Sequence, residues 1–115
     1  MTYGFSKQDR LCGDLKIREV NRKGQRLTAW PLRAVALKYD GNRTQVMVWA
    51  PKSLFKHAVD RNKLRRLMRE AYRLEAQPYL QQASQKYLIT IYYCDKNIQS
   101  FRTIAKAMKK LVSKL

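Results

Sequence analysis

Arg61, Arg65 and Arg69 recur at intervals of four, and Asn62, Arg66 and Arg73 follow at intervals of four and seven. On a helix the first three line one row, the second three an adjacent row, and Lys63 lies further round. Arginines stacked in register repel by a few tenths of a kcal/mol per pair. A solvated helix face normally interleaves glutamate to relieve this, yet only Asp60 and Glu70 are available here. Guanidinium forks match phosphate oxygens with two aligned bonds each. An asparagine among them adds a group able to read a base edge or a 2′-hydroxyl. The pattern therefore points to a nucleic-acid face.

Charge over the whole chain agrees. The 115 residues hold 25 Lys and Arg against 8 Asp and Glu, a formal net charge of +17. The excess is concentrated in 52–74 and in 96–115, and the second of these has no acid at all. A small domain retains such a charge when a polyanion neutralises it, and nucleic acid comes before an anionic membrane. The final helix offers Lys106, Lys109, Lys110 and Lys114 opposite its apolar stripe, either as a solvated face or as peripheral phosphate contacts. Trp49, Tyr87, Tyr92 and Tyr93 could stack on bases, but each suits core packing better.

Catalytic groups are scarce. His57 is the one histidine, placed at a helix start where it caps or faces solvent. The eight acids form no evident acid–base couple, and the four glycines form no phosphate loop. Cys12 and Cys94 with one histidine do not complete a zinc site, and they read as reduced, partly buried thiols. No stretch is long and apolar enough to span a membrane, and the first ten residues lack an apolar signal core, which predicts a cytoplasmic protein.

The elements that must position these residues follow from periodicity. A helix is predicted over 13–23, started by Asp14 and ended at Gly24 as a C′ residue. An extended segment covers 27–39, with Pro31 at an edge or bulge. Asp40-Gly41-Asn42-Arg43 is a turn, and a strand over 45–50 should pair antiparallel with 27–39. A helix over 56–75 buries Leu64, Leu67, Met68, Ala71 and Leu74, and Pro78 closes it. The segment 86–93 is apolar on both sides and reads as a central strand. A last helix has the stripe Ile98, Phe101, Ile104, Ala105, Met108, Leu111, Val112 and Leu115, capped by Asp95 or Asn97. The order helix-strand-strand-helix-strand-helix in one domain, 1–115, is an α+β two-layer sandwich: one small sheet with helices packed on it.

The stretch Arg61-Asn62-Lys63-Leu64-Arg65-Arg66-Leu67-Met68-Arg69-Glu70 resembles the signature Arg-Asn-Arg-x-Lys-Arg-x-x-Arg-Glu of the bacterial ribonuclease P protein component. Ala58-Val59 before it, Arg10-Leu11, Lys23-Gly24 and the stretch 48–52 extend the likeness over nearly the whole chain. The resemblance implies an α/β sandwich with a left-handed βαβ crossover containing the motif helix. It implies the protein subunit of a ribonucleoprotein endonuclease that removes the 5′ leader of precursor tRNA. The partners implied are the RNA subunit, which does the chemistry with magnesium, and precursor tRNA. No cofactor of the protein alone, no small-molecule substrate and no membrane are implied. Carried over by position, Arg61, Asn62, Lys63, Arg65, Arg66 and Arg69 would contact RNA, and Lys52 would lie near the leader cleft. The motif departs in having Lys63 where arginine is usual and Arg65 where lysine is usual. Two aromatics that often line the leader cleft on the first helix are replaced by Ile17 and Asn21. The other class of function open to the same sequence is a ribosomal or translation-associated structural RNA-binding protein.

Overall fold

The computed structural model describes residues 10–115; the polar segment 1–9, read above for a signal core, lies outside the described residues. The elements are α1 (Asp14–Lys23), β1 (Gln25–Ala29), β2 (Leu32–Tyr39), β3 (Gln45–Trp49), α2 (Ala58–Ala71), α3 (Gln77–Gln82), β4 (Lys86–Tyr93) and α4 (Phe101–Ser113). The sheet order is β1-β2-β4-β3, with β3 parallel to β4 and the other neighbours antiparallel.

Two strand expectations are corrected. The segments 27–39 and 45–50 are not an antiparallel pair, because β4 lies between them. Its residues from Tyr87 to Ile91 are buried without interruption, so β4 must have a strand on each side. Parallel β3 and β4 then require a long crossover, which α2 and α3 supply. The extended segment is itself two strands. Ala29 pairs with Leu32, and Trp30-Pro31, joined by a cis peptide bond, makes the turn of a hairpin.

Register fixes what each face carries. Leu27 and Ala29, Leu32, Ala34 and Ala36, Val46 and Val48, and Tyr87, Ile89, Ile91 and Tyr93 point into the main core. That core is closed by Leu64, Met68, Ala71, Tyr72, Ala76 and Leu80, all with 0% exposure, and by Ile104, Met108 and Leu111 of α4. The expected stripe of α2 is right at Leu64, Met68 and Ala71. Leu67 is half-buried, and Leu74 is 49% exposed. The helix does not stop before Pro78. A π-helical turn, Tyr72–Ala76, adds a residue to the turn and rotates burial onto Tyr72 and Ala76. Pro78 sits in the first turn of α3, where a missing N–H costs little. Lys86 Nζ then caps that helix by donating to the carbonyls of Leu80, Gln81 and Ala83 at 3.3, 2.8 and 2.7 Å.

The cap of α4 is Ser100, whose hydroxyl accepts from Thr103 N at 3.3 Å. Asp95 and Asn97, expected as caps, organise the preceding turn instead. Asp95 accepts from Asn97 N and Gln99 Nε2, and the Asn97 carbonyl accepts from the Tyr93 hydroxyl.

On the opposite sheet face α1 covers a second cluster. Leu11, Val20 and Leu88 are buried there, with Ile17, Val35, Leu37, Tyr39 and Met47 around them. Gly13 precedes α1 at φ 99°, a conformation glycine adopts without strain. Gly24 ends α1 in extended backbone, φ −74°, so it is not the left-handed cap that was expected. Glycine is needed there for space: a Cβ would lie 2.6 Å from both Val20 O and Val35 Cγ1.

Candidate nucleic-acid interface

The row read from spacing forms one flank of α2, and packing decides how each member is held. Arg61 is half-buried and donates through NH1 to the carbonyls of Phe55 and Lys56 at 2.8 and 3.0 Å. Part of its fork therefore anchors the loop after β3. Arg65 donates to Asn62 Oδ1, which joins the two rows. Arg66 and Lys63 are exposed. Arg73 pairs with Glu70, an exposed i,i+3 bridge that holds the Glu70 carboxyl below its ordinary range and neutralises the end of the second row.

Arg69 has the least ordinary setting. It lines a small cavity with Arg10, Leu11, Cys12 and the Val46–Val48 stretch of β3. Leu11 N donates to Val46 O at 2.9 Å, and Arg10 bridges to Val46, so the chain before α1 runs along the free edge of β3. This brings a fourth arginine to the row of Arg61, Arg65 and Arg69. Burial, then Arg10, then Arg65, push the Arg69 guanidinium below its ordinary value. Like charges are thus crowded where desolvation weakens screening. Arg10 is a member of this basic cluster that helical spacing could not find, since its place depends on pairing with Val46.

The second candidate surface is the sheet face under α1. Ile17 packs into the apolar cluster, and Asn21, one turn later, points at β4. Its Nδ2 donates to the Tyr92 hydroxyl at 2.8 Å, and its Oδ1 accepts from the Thr90 hydroxyl at 2.9 Å. Lys52 is exposed on the loop after β3. The next two residues, Ser53 and Leu54, close a cavity of about 620 Å³ with Arg26, Arg33, Tyr92 and Cys94. Of the four aromatics considered for stacking, Tyr87 and Tyr93 are core residues, Trp49 is 45% exposed and Tyr92 is half-buried. Arg33 stands beside Tyr92 in the sheet, and alternation along 32–39 is the signal that turns it outward.

Elsewhere, His57 occupies the N-cap position of α2 with an exposed side chain that makes no cap bond. Cys94 is half-buried and its thiol is pushed up by burial; Cys12 is exposed, contrary to the expectation of two partly buried thiols. Arg102, Lys106, Lys109 and Lys110 of α4 are exposed, while Lys114 donates to Thr28 O at 2.6 Å. Among the described residues no three His, Cys, Asp or Glu side chains gather into a metal-holding group, and no helix is long and apolar enough to cross a membrane.

A single sheet carrying an arginine-rich crossover helix defines an RNA-binding class of α+β domain, and comparison with known proteins gives its family. The Ribonuclease P family model matches residues 5–115. Ribonuclease P protein components of two Porphyromonas gingivalis strains are each 33% identical over 115 residues, covering 95% of this chain and 84% of theirs. The chain belongs to the ribonuclease P protein family. Solved structures share the fold at lower identity. The RNase P protein of Thermotoga maritima superposes with a TM-score of 0.78 at 17% identity, covering 92% of this chain and 96% of that one. That of Staphylococcus aureus gives 0.74 at 14%, covering 92% and 94%.

Proposed function

We propose that this chain is the protein subunit of ribonuclease P, acting in the cytoplasm in 5′ maturation of precursor tRNA. In this reading the α2 row, Arg61, Asn62, Lys63, Arg65, Arg66 and Arg69, binds the catalytic RNA subunit. The sheet face bordered by α1 and by the Lys52 loop receives the single-stranded 5′ leader. Hydrolysis belongs to the RNA subunit with magnesium, and the protein supplies charge and shape. The observation that carries this is the crowding of Arg65, Arg69 and Arg10, which burial makes costly in the free protein and which RNA phosphates would relieve.

The test is cleavage of precursor tRNA by the reconstituted RNA subunit at low magnesium, with and without this protein. Faster cleavage and tighter substrate binding with the protein present are the expected results. RNA binding without any effect on cleavage would reject the reading in favour of a structural RNA-binding role. Binding to the RNA subunit should also weaken steeply with salt, with a log–log slope of several units at about 0.7–0.9 per phosphate contact.

A further inference from the structure

α4 carries a second basic face. Arg102, Lys106, Lys109 and Lys110 follow one another on the side of the helix opposite the buried Ile104, Met108 and Leu111. All four are exposed, and among the described residues none of their side chains makes a hydrogen bond or an ion pair. The α2 cations are tied down by contrast: Arg61 holds two carbonyls, Arg65 holds Asn62 and Arg73 holds Glu70. The segment 96–115 has no acid, so like charges one turn apart on α4 go unrelieved in the free protein. The two basic faces are separate. α2 packs on β3 and its row reaches the free edge of that strand, whereas α4 lies over β1 and β2. On the α2 side of α4, Glu75 of the π-helical turn lines a groove of about 360 Å³ with Phe101, Arg102, Ala105, Lys106 and Lys109.

Several polyanions could relieve such a face, and the chemistry of α4 separates them. An anionic membrane needs the apolar side of an amphipathic helix, and here that side is spent on the core, with Ile104 and Met108 at 0% exposure. Protein interfaces are built round aromatic and apolar anchors and are poor in lysine. Between Arg102 and Ser113 every exposed side chain is Arg, Lys or Ser. Single-stranded RNA is held largely by stacking, and no aromatic stands in this exposed row. The backbone of an RNA double helix needs none of these, because it is gripped through phosphates without reading bases. Cations one helical turn apart, about 5–6 Å at Cβ, match the separation of neighbouring phosphates along one strand. The face ends at Lys110: the Ser113 hydroxyl is committed to the Lys110 carbonyl and the Lys114 ammonium to the Thr28 carbonyl.

We propose that Arg102, Lys106, Lys109 and Lys110 form a further RNA contact that grips the phosphate backbone of a double-helical segment, and that Glu75 bounds it by repelling phosphate from the groove. This face is distinct from the α2 row and from the sheet face proposed for the leader, and it does not depend on which RNA the α2 row binds. Because α2 and α4 look out from different sides of one helical layer, the chain can lie between two RNA segments and hold both.

The experiment uses the full chain with a short blunt RNA duplex and an oligouridylate, both labelled for anisotropy. Lys106→Gln/Lys109→Gln/Lys110→Gln removes three charges from α4. Lys16→Gln/Arg18→Gln/Arg22→Gln removes three from exposed positions of α1 and brings the net charge to the same value. The α4 variant should bind the duplex about 10-fold or more weakly, with a log–log salt slope smaller by about 2–3, three contacts at about 0.7–0.9 each. The α1 variant should lose no more than about 3-fold, the effect of net charge alone. The α4 variant should lose clearly less for the oligouridylate than for the duplex. Glu75→Gln should tighten duplex binding by about 2- to 5-fold, the relief of one like-charge contact near the surface. Urea melts show that each variant is folded; should the triple variant fail to fold, Lys106→Gln/Lys109→Gln and Glu75→Gln carry the test. Equal duplex losses in the α4 and α1 variants overturn the face in favour of diffuse charge, and equal losses for duplex and oligouridylate overturn its double-helical partner. A loss as large for polyglutamate of equal charge, or a loss for phosphatidylglycerol vesicles with duplex binding unchanged, overturns the RNA backbone as occupant. Cleavage of precursor tRNA with the RNA subunit and the wild-type protein is measured alongside: it judges the subunit role, the duplex affinities judge the α4 face, and either fails alone.

Discussion

Removing the Arg69 charge should move stability and RNA affinity in opposite directions. Arg69→Gln keeps most of the stem that packs against the β3 edge and deletes the guanidinium. In the free protein, Arg69 is repelled by Arg10 and Arg65 and is partly desolvated. Relief of two like-charge neighbours is worth about 0.2–0.5 kcal/mol each on a solvated helix. Lost stem contacts offset some of that. The variant should therefore unfold in urea at an unchanged or slightly higher midpoint, within about 1 kcal/mol of wild type. With the RNA subunit the sign reverses. A charge-assisted contact contributes about 1.5–3 kcal/mol, so affinity should fall about 10- to 100-fold. The log–log salt slope should shrink by about 0.7–0.9, one phosphate contact. Filter binding at four KCl concentrations gives affinity and slope together, and urea melts of the same preparations give stability. A loss of more than 1 kcal/mol in stability with affinity unchanged would refute the reasoning and make Arg69 a structural residue of the β3 edge.

Three other outcomes follow from particular contacts. Arg65→Ala should weaken RNA-subunit binding by about 1–3 kcal/mol, whereas Lys114→Ala, which removes a donor to Thr28 O, should leave affinity unchanged in the same titration. Gly24→Ala drives a methyl against Val20 O and Val35 Cγ1 and should lower the urea unfolding free energy by about 1–3 kcal/mol. Burial pushes the Tyr93 hydroxyl and the Cys94 thiol above their ordinary values, so the folded chain keeps protons that the unfolded chain loses near pH 10 and pH 8.5. The stability these groups contribute is complete below about pH 8 and is lost as pH rises above that; urea melts from pH 7 to 10.5 should show a shallower decline for Tyr93→Phe/Cys94→Ala than for wild type.

What the sequence disclosed and what it hid divide along the range of the interactions. The α2 row was legible because charges four apart on a helix must share a flank, whatever surrounds it. The central place of β4 was legible because a strand apolar on both sides has nowhere else to go. Pairing was not. Two short strands separated by Asp40-Gly41-Asn42-Arg43 look like a hairpin, and only competition from β4, some 40 residues on, separates them. Extended, apolar composition continues through Trp30-Pro31, although the inward parity switches there from Leu27 and Ala29 to Leu32 and Ala34, so β1 was hidden inside a longer extended run. The π-helical turn keeps the residue types of a helix and alters only its phase, which is why Leu74 was misplaced and Tyr72 overlooked. The candidate site shows the same division. Asn21 could be marked as a cleft position, yet its partners Thr90 and Tyr92 stand 69 and 71 positions away. Their hydrogen bonds tie its side chain to β4.

Arg61 shows why the two surfaces should be tested by more than single deletions. Its guanidinium donates to the carbonyls of Phe55 and Lys56, at the end of the loop that carries Lys52 and Ser53. Phe55 is buried against Tyr93, with ring centroids 5.8 Å apart, so this loop is pinned at its far end to the core under β4. Ser53 and Leu54 in turn form a wall of the cavity beside Arg33 and Tyr92. The first arginine of the α2 row, proposed to bind RNA, is therefore also a strut of the Lys52 loop, proposed to border the leader. Losing it would weaken phosphate contact and loosen that loop together, whereas Arg66, exposed one turn on, touches only the first. A defect in leader recognition that appears with Arg61→Ala and not with Arg66→Ala would place the coupling in this loop rather than in the RNA subunit.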